Sequence, residues 1–296
     1  MTSLSPSDPA PPDTAPRPVE QDSRGILDPW LLRQRVSLTR YPPGPALAGL
    51  VDRFWAVRWD LPEGTVHRQQ VLTHPGANLS IGPPSARPGQ TQPGPAEARL
   101  NGVARRLTSR VLVGQGWAVA AMTRPGGLGA FVARPASDFT DRVVPLGEAI
   151  GVSDEALLRQ VSGTPDEATR VQVLAGALEQ AVDPDQVAAA CQVAEAARLA
   201  EANRDVRTLA DLCQLAGTGQ RTLQRMFQRY AGVSPTWVLR RYRLLDAAEA
   251  VHDGEQVSWA EVAASLGYAD QAHLIRDFRA ATGQTPAAYA QAQLPS

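Results

Sequence analysis

Apolar residues in the last third of the chain recur at helical spacing and stop at glycines. Leu209, Leu212, Cys213 and Leu215 form one short stripe, with Thr208 and Asp211 spaced as a capping box ahead of it and Gly217 placed for a left-handed stop. From Gly219 to Tyr230, the residues Leu223, Met226, Phe227 and Tyr230 share one helical face, and Arg221, Gln224, Arg225 and Gln228 line the other. The pattern then returns. Leu223, Arg225, Phe227, Gly232, Ser234 and Pro235 recur as Leu274, Arg276, Phe278, Gly283, Thr285 and Pro286, each 51 positions on. Ser258 and Glu261 are spaced as a second capping box before Val262, Ala263 and Leu266, Gly267 ends that stripe, and Asp270 is placed to cap a helix exposing Gln271, His273 and Arg276. Two helix-turn-helix units joined by a long helix are predicted.

The pattern is different further upstream. Between residues 25 and 146, short β-like runs are cut by Gly and Pro: Phe54 to Trp59, Gln70 to Thr73, Asn78 to Ile81, Ala98 to Val103, Leu107 to Val113 and Trp117 to Met122. Strands at this spacing predict a small antiparallel β-barrel or sandwich, with residues 82–98 as a Pro/Gly-rich loop. Residues 147–183 read as amphipathic helices, one starting at Ser153 and Asp154 and one at Thr164 to Glu167 with Pro165 at its first position. Such helices either pack on their own barrel, couple it to the helical region downstream, or pair two subunits. Asp183 and Pro184 mark the next boundary. Residues 1–24 carry six prolines between positions 6 and 18 and almost nothing apolar, which predicts a disordered tail. The expected fold is α+β: a β-rich domain over 25–146, a helical linker or dimerisation segment over 147–183, and an all-α domain over 184–296.

Charge changes the picture of the helical region. The chain as a whole is near neutral, at −1, yet Leu212 to Leu245 holds six arginines and no Asp or Glu. A solvated helix face mixes signs, so an acid-free run of this length points to phosphate. Arg can bond both major-groove acceptors of guanine, and Gln the acceptor and donor of adenine, so the polar face of the 219–230 helix is made of base readers.

Here the residues carry a resemblance. GTGQRTLQRMF, GVSPTWVLRRYRLLDAA, VAASLGYADQAHLIRDF and TGQTPAAY, within about 185–292, resemble the AraC/XylS-type DNA-binding module. That resemblance implies two helix-turn-helix units that read successive major-groove segments of double-stranded DNA. Residue by residue it implies base contacts from Gln220, Arg221, Gln224 and Arg225 in the first unit and from Gln271, Ala272, His273 and Arg276 in the second. Arg229, Arg240, Arg241 and Arg243 are candidate phosphate contacts, the last three also as partners for the linking helix. Gly219 departs from the family's usual N-cap, a change that costs only a few tenths of a kcal/mol. Ala272 is too short to bond a base, and Ile275 stands where Gln224 stands in the first unit, so the second helix is expected to read mainly phosphate, shape or a thymine methyl. The first half is similar to an uncharacterised domain found ahead of one subgroup of these modules, through Tyr41-Pro-Pro, Phe54-Trp55, His74-Pro75, Asn78-Leu79, Arg124-Pro125-Gly126 and Thr140 to Leu146.

Candidate chemistry elsewhere is thin. No lysine is present among the 29 basic residues, which removes a phosphate-loop lysine and a Schiff-base nucleophile. His67 and His74 lie seven apart with no H-x-H pair beside them, so no metal site is expected, and Cys191 and Cys213 sit in apolar helical stretches. No catalytic set or cofactor motif stands out, and an enzyme is not expected. Trp55, His74, Trp117 and Arg124 are the candidate ligand-binding residues, for an unknown small-molecule effector. The alternative is a dimerisation or protein-interaction module with no effector. The expected partners are DNA, that effector, RNA polymerase and a second subunit. With no run near the ~20 apolar residues that span a bilayer, no membrane association and a cytoplasmic location are expected.

Overall fold

The computed structural model describes residues 35–250 and 258–292, so the expected disorder of 1–24 lies outside the described residues. Among the described residues the first half is built on eight strands: β1 (Val36–Tyr41), β2 (Val51–Asp60), β3 (Val66–Val71), β4 (Asn78–Gly82), β5 (Glu97–Asn101), β6 (Thr108–Val113), β7 (Gln115–Thr123) and β8 (Val143–Pro145). Six form an antiparallel sheet in the order β1-β2-β7-β4-β5-β8, while β3 and β6 make a separate two-stranded ribbon. Alternation gives the sheet two distinct faces. Phe54, Ala56, Leu79, Ile81, Leu100, Val119 and Ala121 lie on one, and all are buried.

Helices cover that apolar face. After α1 (Leu146–Ile150) come α2 (Asp154–Ser162) and α3 (Glu167–Ala181), which bury Leu157, Val161, Val171, Leu174 and Leu178 in the same core as the sheet. Ser153 accepts the N–H of Ala156, and Asp166 that of Thr169, so both helices start on side-chain caps. Residues 147–183 are therefore part of the β-domain's core. Leu157, Val161, Val171, Leu174 and Leu178 turn inward to their own sheet, which is the first of the three arrangements open to these helices.

α4 (Pro184–Ala202) belongs to both halves. Ala190 joins the sheet core, while Val193, Ala196, Ala197 and Ala200 join a second core. Its alanines permit close approach: Gly126, at φ +96°, sits where a Cβ would meet Val193 at 2.7 Å. The second core continues through α5 (Leu209–Leu215), α6 (Gln220–Met226), α7 (Pro235–Glu249), α8 (Trp259–Ser265), α9 (Gln271–Thr282) and α10 (Pro286–Ala292). Leu212, Leu223, Phe227, Val238, Tyr242, Leu245, Leu274, Phe278 and Tyr289 fill it, and Leu72 and Val103 reach in from the β-domain. No helix among the described residues is long and apolar enough to cross a membrane.

Candidate nucleic-acid interface

Local sequence builds the first unit. Thr208 Oγ1 accepts the N–H of Asp211 at 3.2 Å, and the Asp211 carboxylate accepts the N–H of Thr208 at 2.8 Å, completing the capping box of α5. Gly217 takes φ +62° and turns the chain toward α6. Hydrogen bonding with Thr208, then with the Arg207 N–H, holds the Asp211 carboxyl below its ordinary range. A carboxyl depressed by folding contributes stability that is full above its unfolded pKa of about 4 and is lost as pH falls through the folded value. Asp211→Asn should therefore melt below the wild type at neutral pH, with the gap narrowing below about pH 4. Thermal melts across pH check this, and a pH-independent gap contradicts it.

Gln220, Arg221, Gln224 and Arg225 are all exposed, on the side of α6 away from buried Leu223 and Phe227. The regular helix stops earlier than expected. From Phe227 to Ala231 the chain makes a π turn, with the Gly232 N–H reaching back five residues to the Phe227 carbonyl at 2.9 Å. That turn re-aims Arg229 and Tyr230 at the β-domain. Arg229 donates from Nη1 to the Arg134 carbonyl at 3.0 Å and from Nη2 to that of Ala133 at 3.2 Å. The Tyr230 hydroxyl meets the Gln186 side chain at 3.0 Å, and Gly129 lies where a Cβ would come within 2.3 Å of the Tyr230 ring. Thr140 Oγ1 donates to the Gly232 carbonyl at 2.6 Å.

The long helix α7 starts at Ser234, which accepts the Trp237 N–H, with Pro235 at its first position. Its three arginines go to three environments. Arg240 is exposed. Arg241 is 2% exposed, stacks over the Trp237 ring at 4.7 Å, and donates from Nη2 to the carbonyl of Arg105 at 2.7 Å and of Ala104 at 3.4 Å. Burial pulls its guanidinium down to about 10, against the opposing field of Asp141. Arg243 is half-buried and donates to the Arg207 carbonyl at 2.6 Å, tying α7 to the start of α5. Of the four candidate phosphate contacts, Arg229 and Arg241 are thus interdomain ties and Arg243 is a tie within the helical domain. Arg240 is the exposed one of the four, and Arg229 and Arg243 are half-buried.

In the second unit Ser258 accepts the Glu261 N–H, but the return bond of a capping box is absent, so the start of α8 is a simple cap. Gly267 takes φ +71°, and Asp270 accepts the His273 N–H at 2.6 Å to start α9. Gln271, Ala272 and Arg276 are exposed. His273 is drawn partly inward, edge-on to Tyr268 at 5.2 Å and 3.8 Å from the Asp277 carboxylate. Arg279, one turn beyond Arg276 and exposed, adds a cation to this helix that sequence reasoning passed over. Its position three after Arg276 was the available signal.

The four candidate ligand residues do not converge. Trp55 donates from Nε1 to the Asn78 side chain at 3.1 Å on the face of the sheet away from the helices. Trp117 lies on the helix-covered face beneath the Arg170 guanidinium at 3.9 Å. His74 and Arg124 do meet, lining a cavity of about 40 Å³ with Asp52, Arg198 and Glu201, a volume that suits a water. Arg124 also donates to the Ala48 carbonyl at 2.9 Å. Among the described residues no group of three or more His, Cys, Asp or Glu is arranged to hold a metal.

Residues 212–292 match the helix-turn-helix domain family, and residues 39–145 match a domain of unknown function (DUF6597). Among solved structures the chain is similar to the C-terminal domain of AraT, a response regulator from Geobacillus stearothermophilus, at 24% identity and a TM-score of 0.33, covering 36% of this chain and 88% of that one. It is also similar to ToxT from Vibrio cholerae, at 10% identity and a TM-score of 0.41, covering 88% of this chain and 99% of that one. No curated protein matches the chain.

Proposed function

We propose that the chain is an AraC/XylS-type DNA-binding transcription regulator, the reading that the helix-turn-helix match over residues 212–292 supports, in which α6 and α9 enter successive major-groove segments on one side of the duplex under the control of a ligand of the β-domain. Gln220, Arg221, Gln224 and Arg225 read bases from the first helix. Gln271 and Arg276 do so from the second, with His273 once its ring swings off Asp277, and Arg240 and Arg279 meet phosphate. The two successive major-groove faces of B-DNA lie about 34 Å apart.

The observation that carries ligand control is where the β-domain holds the helical domain. The carbonyls of Ala133 and Arg134, the Thr140 hydroxyl and Gly129 all engage the π turn and glycine immediately after α6, and the carbonyls of Ala104 and Arg105 hold Arg241 on α7. A shift of those loops moves the first recognition helix relative to the second, so a ligand that favours one position of the loops biases DNA binding. A hydroxyl-radical footprint of the full chain tests the two-helix reading. Two short protected blocks on one face, one turn apart, are expected, and one block or continuous protection contradicts it.

A further inference from the structure

The second face of the main sheet carries charge in its interior. Register places Arg40, Trp55, Ala120, Ser80 and Arg99 in one row across β1, β2, β7, β4 and β5, all on the side away from the helices. The β3–β6 ribbon covers this row. Trp59 donates from Nε1 to the Val113 carbonyl at 3.1 Å, and Leu112 packs against the cluster around Trp59 at one end of the ribbon. At the other end Arg110 lies within the field of Arg99. His67 and Gln69 pair with Leu112 and Arg110 in the ribbon and are buried, so they face the same interior.

Among the described residues two guanidinium groups, those of Arg99 and Arg110, face one carboxylate, that of Glu97. Arg99 is 7% exposed, Arg110 joins it from the ribbon, and the Glu97 carboxylate acting on both is itself half exposed. Arg99 bonds Glu97 and the carbonyls of Gly82 and Pro83, yet its Nε is buried without a partner. His67 is 1% exposed. Its Nε2 meets the Gln69 side-chain oxygen at 3.1 Å, and its Nδ1 is buried without a partner. Desolvated guanidinium groups are costly unless an anion bonds them, and a fold that needed only packing here would place apolar residues at these positions. Among the described residues the ribbon shares no strand pairing with the main sheet.

We propose that the interior between the main sheet and the β3–β6 ribbon is a binding site for a small ligand bearing an oxyanion, held by Arg99 and Arg110 with His67 beside them. This deepens the ligand-control reading by assigning the ligand's chemistry and place. The oxyanion is a carboxylate or a phosphate.

The test is a thermal melt of the full chain with millimolar benzoate, inorganic phosphate or neutral benzamide at constant ionic strength, in the wild type and in Arg110→Met. A ligand that binds only the folded state raises the melting temperature. Benzoate or phosphate should do so and benzamide should not. A shift with benzoate alone assigns organic carboxylates, and one with phosphate alone assigns phosphoryl compounds. In Arg110→Met the ligand-free melting temperature should stay level or rise, while affinity for the anion falls at least about tenfold, as expected when one charge-assisted contact is lost. No shift with either anion, an equal shift with benzamide, or an undiminished shift in Arg110→Met overturns the proposal. So does an Arg110→Met that fails to fold, because Arg110 would then hold the structure and not a ligand. An anion that raises the melting temperature and leaves the DNA footprint unchanged keeps the site and removes ligand control.

Discussion

Arg241→Ala is expected to destabilise the folded chain by about 3 kcal/mol without changing the salt dependence of DNA binding. The side chain is almost wholly buried between the domains and donates to the carbonyls of Ala104 and Arg105. Removing it leaves two part-buried carbonyl oxygens without their donor and opens a gap beside Trp237, and charge-assisted bonds of this kind are worth roughly 1.5–3 kcal/mol before the loss of packing is added. The neighbouring Asp141 is bound into the same corner. It sits at φ +57°, and its carboxylate accepts from the Arg105 N–H at 2.7 Å and from the Arg105 guanidinium at 2.6 Å. Burial alone would raise its pKa, but these bonds outweigh burial and hold it below the ordinary value. Urea titration gives the stability change. A phosphate contact would behave otherwise: its loss lowers the slope of log K against log salt by about 0.9 and leaves stability nearly untouched. That result would return Arg241 to the DNA surface.

Arg225→Ala is expected to weaken binding to the cognate site by about 1–3 kcal/mol and to relax one base position, while non-specific affinity changes little. Arg225 is exposed on α6 beside Arg221 and Gln224, while Leu223 and Phe227 are buried on the opposite side, so truncation leaves the core intact. Competition between cognate and scrambled duplexes measures the difference. A uniform loss on every sequence makes Arg225 a phosphate contact, and no loss at all takes α6 out of the groove.

The helical domain was legible because its signals are local. Thr208 with Asp211, Asp270, and the glycines at 217, 232, 267 and 283 each act within a few residues of themselves, and all four glycines adopt positive φ. Strand existence was legible for the same reason, through alternation in β2, β4, β5, β6 and β7. β1 went unforeseen and β3 lies a few residues earlier than expected, while β8, with three residues, carries too few alternating positions to stand out. What one element does to another was not legible. Six arginines without an acid read as a phosphate surface, yet Arg229 and Arg241 meet carbonyls 95 and 136 residues away in sequence, and nothing in the spacing of either segment announces that partner. The π turn is the local origin of the first of these differences, since it moves Arg229 off the face that a regular helix would have given it. The scatter of Trp55 and Trp117 has an equally simple cause. Residues of different parity along paired strands point to opposite faces of one sheet, and register decides parity.

The central claim, that two recognition helices read two separate blocks of one site, is tested most directly by sequencing the genomic fragments retained by the purified full chain, beside Arg225→Ala and Arg276→Ala. The wild type should recover an asymmetric site of two short blocks about one helical turn apart. Arg225→Ala should blur one block and Arg276→Ala the other. Recovery of a single block, or the same block blurred by both variants, would contradict the claim.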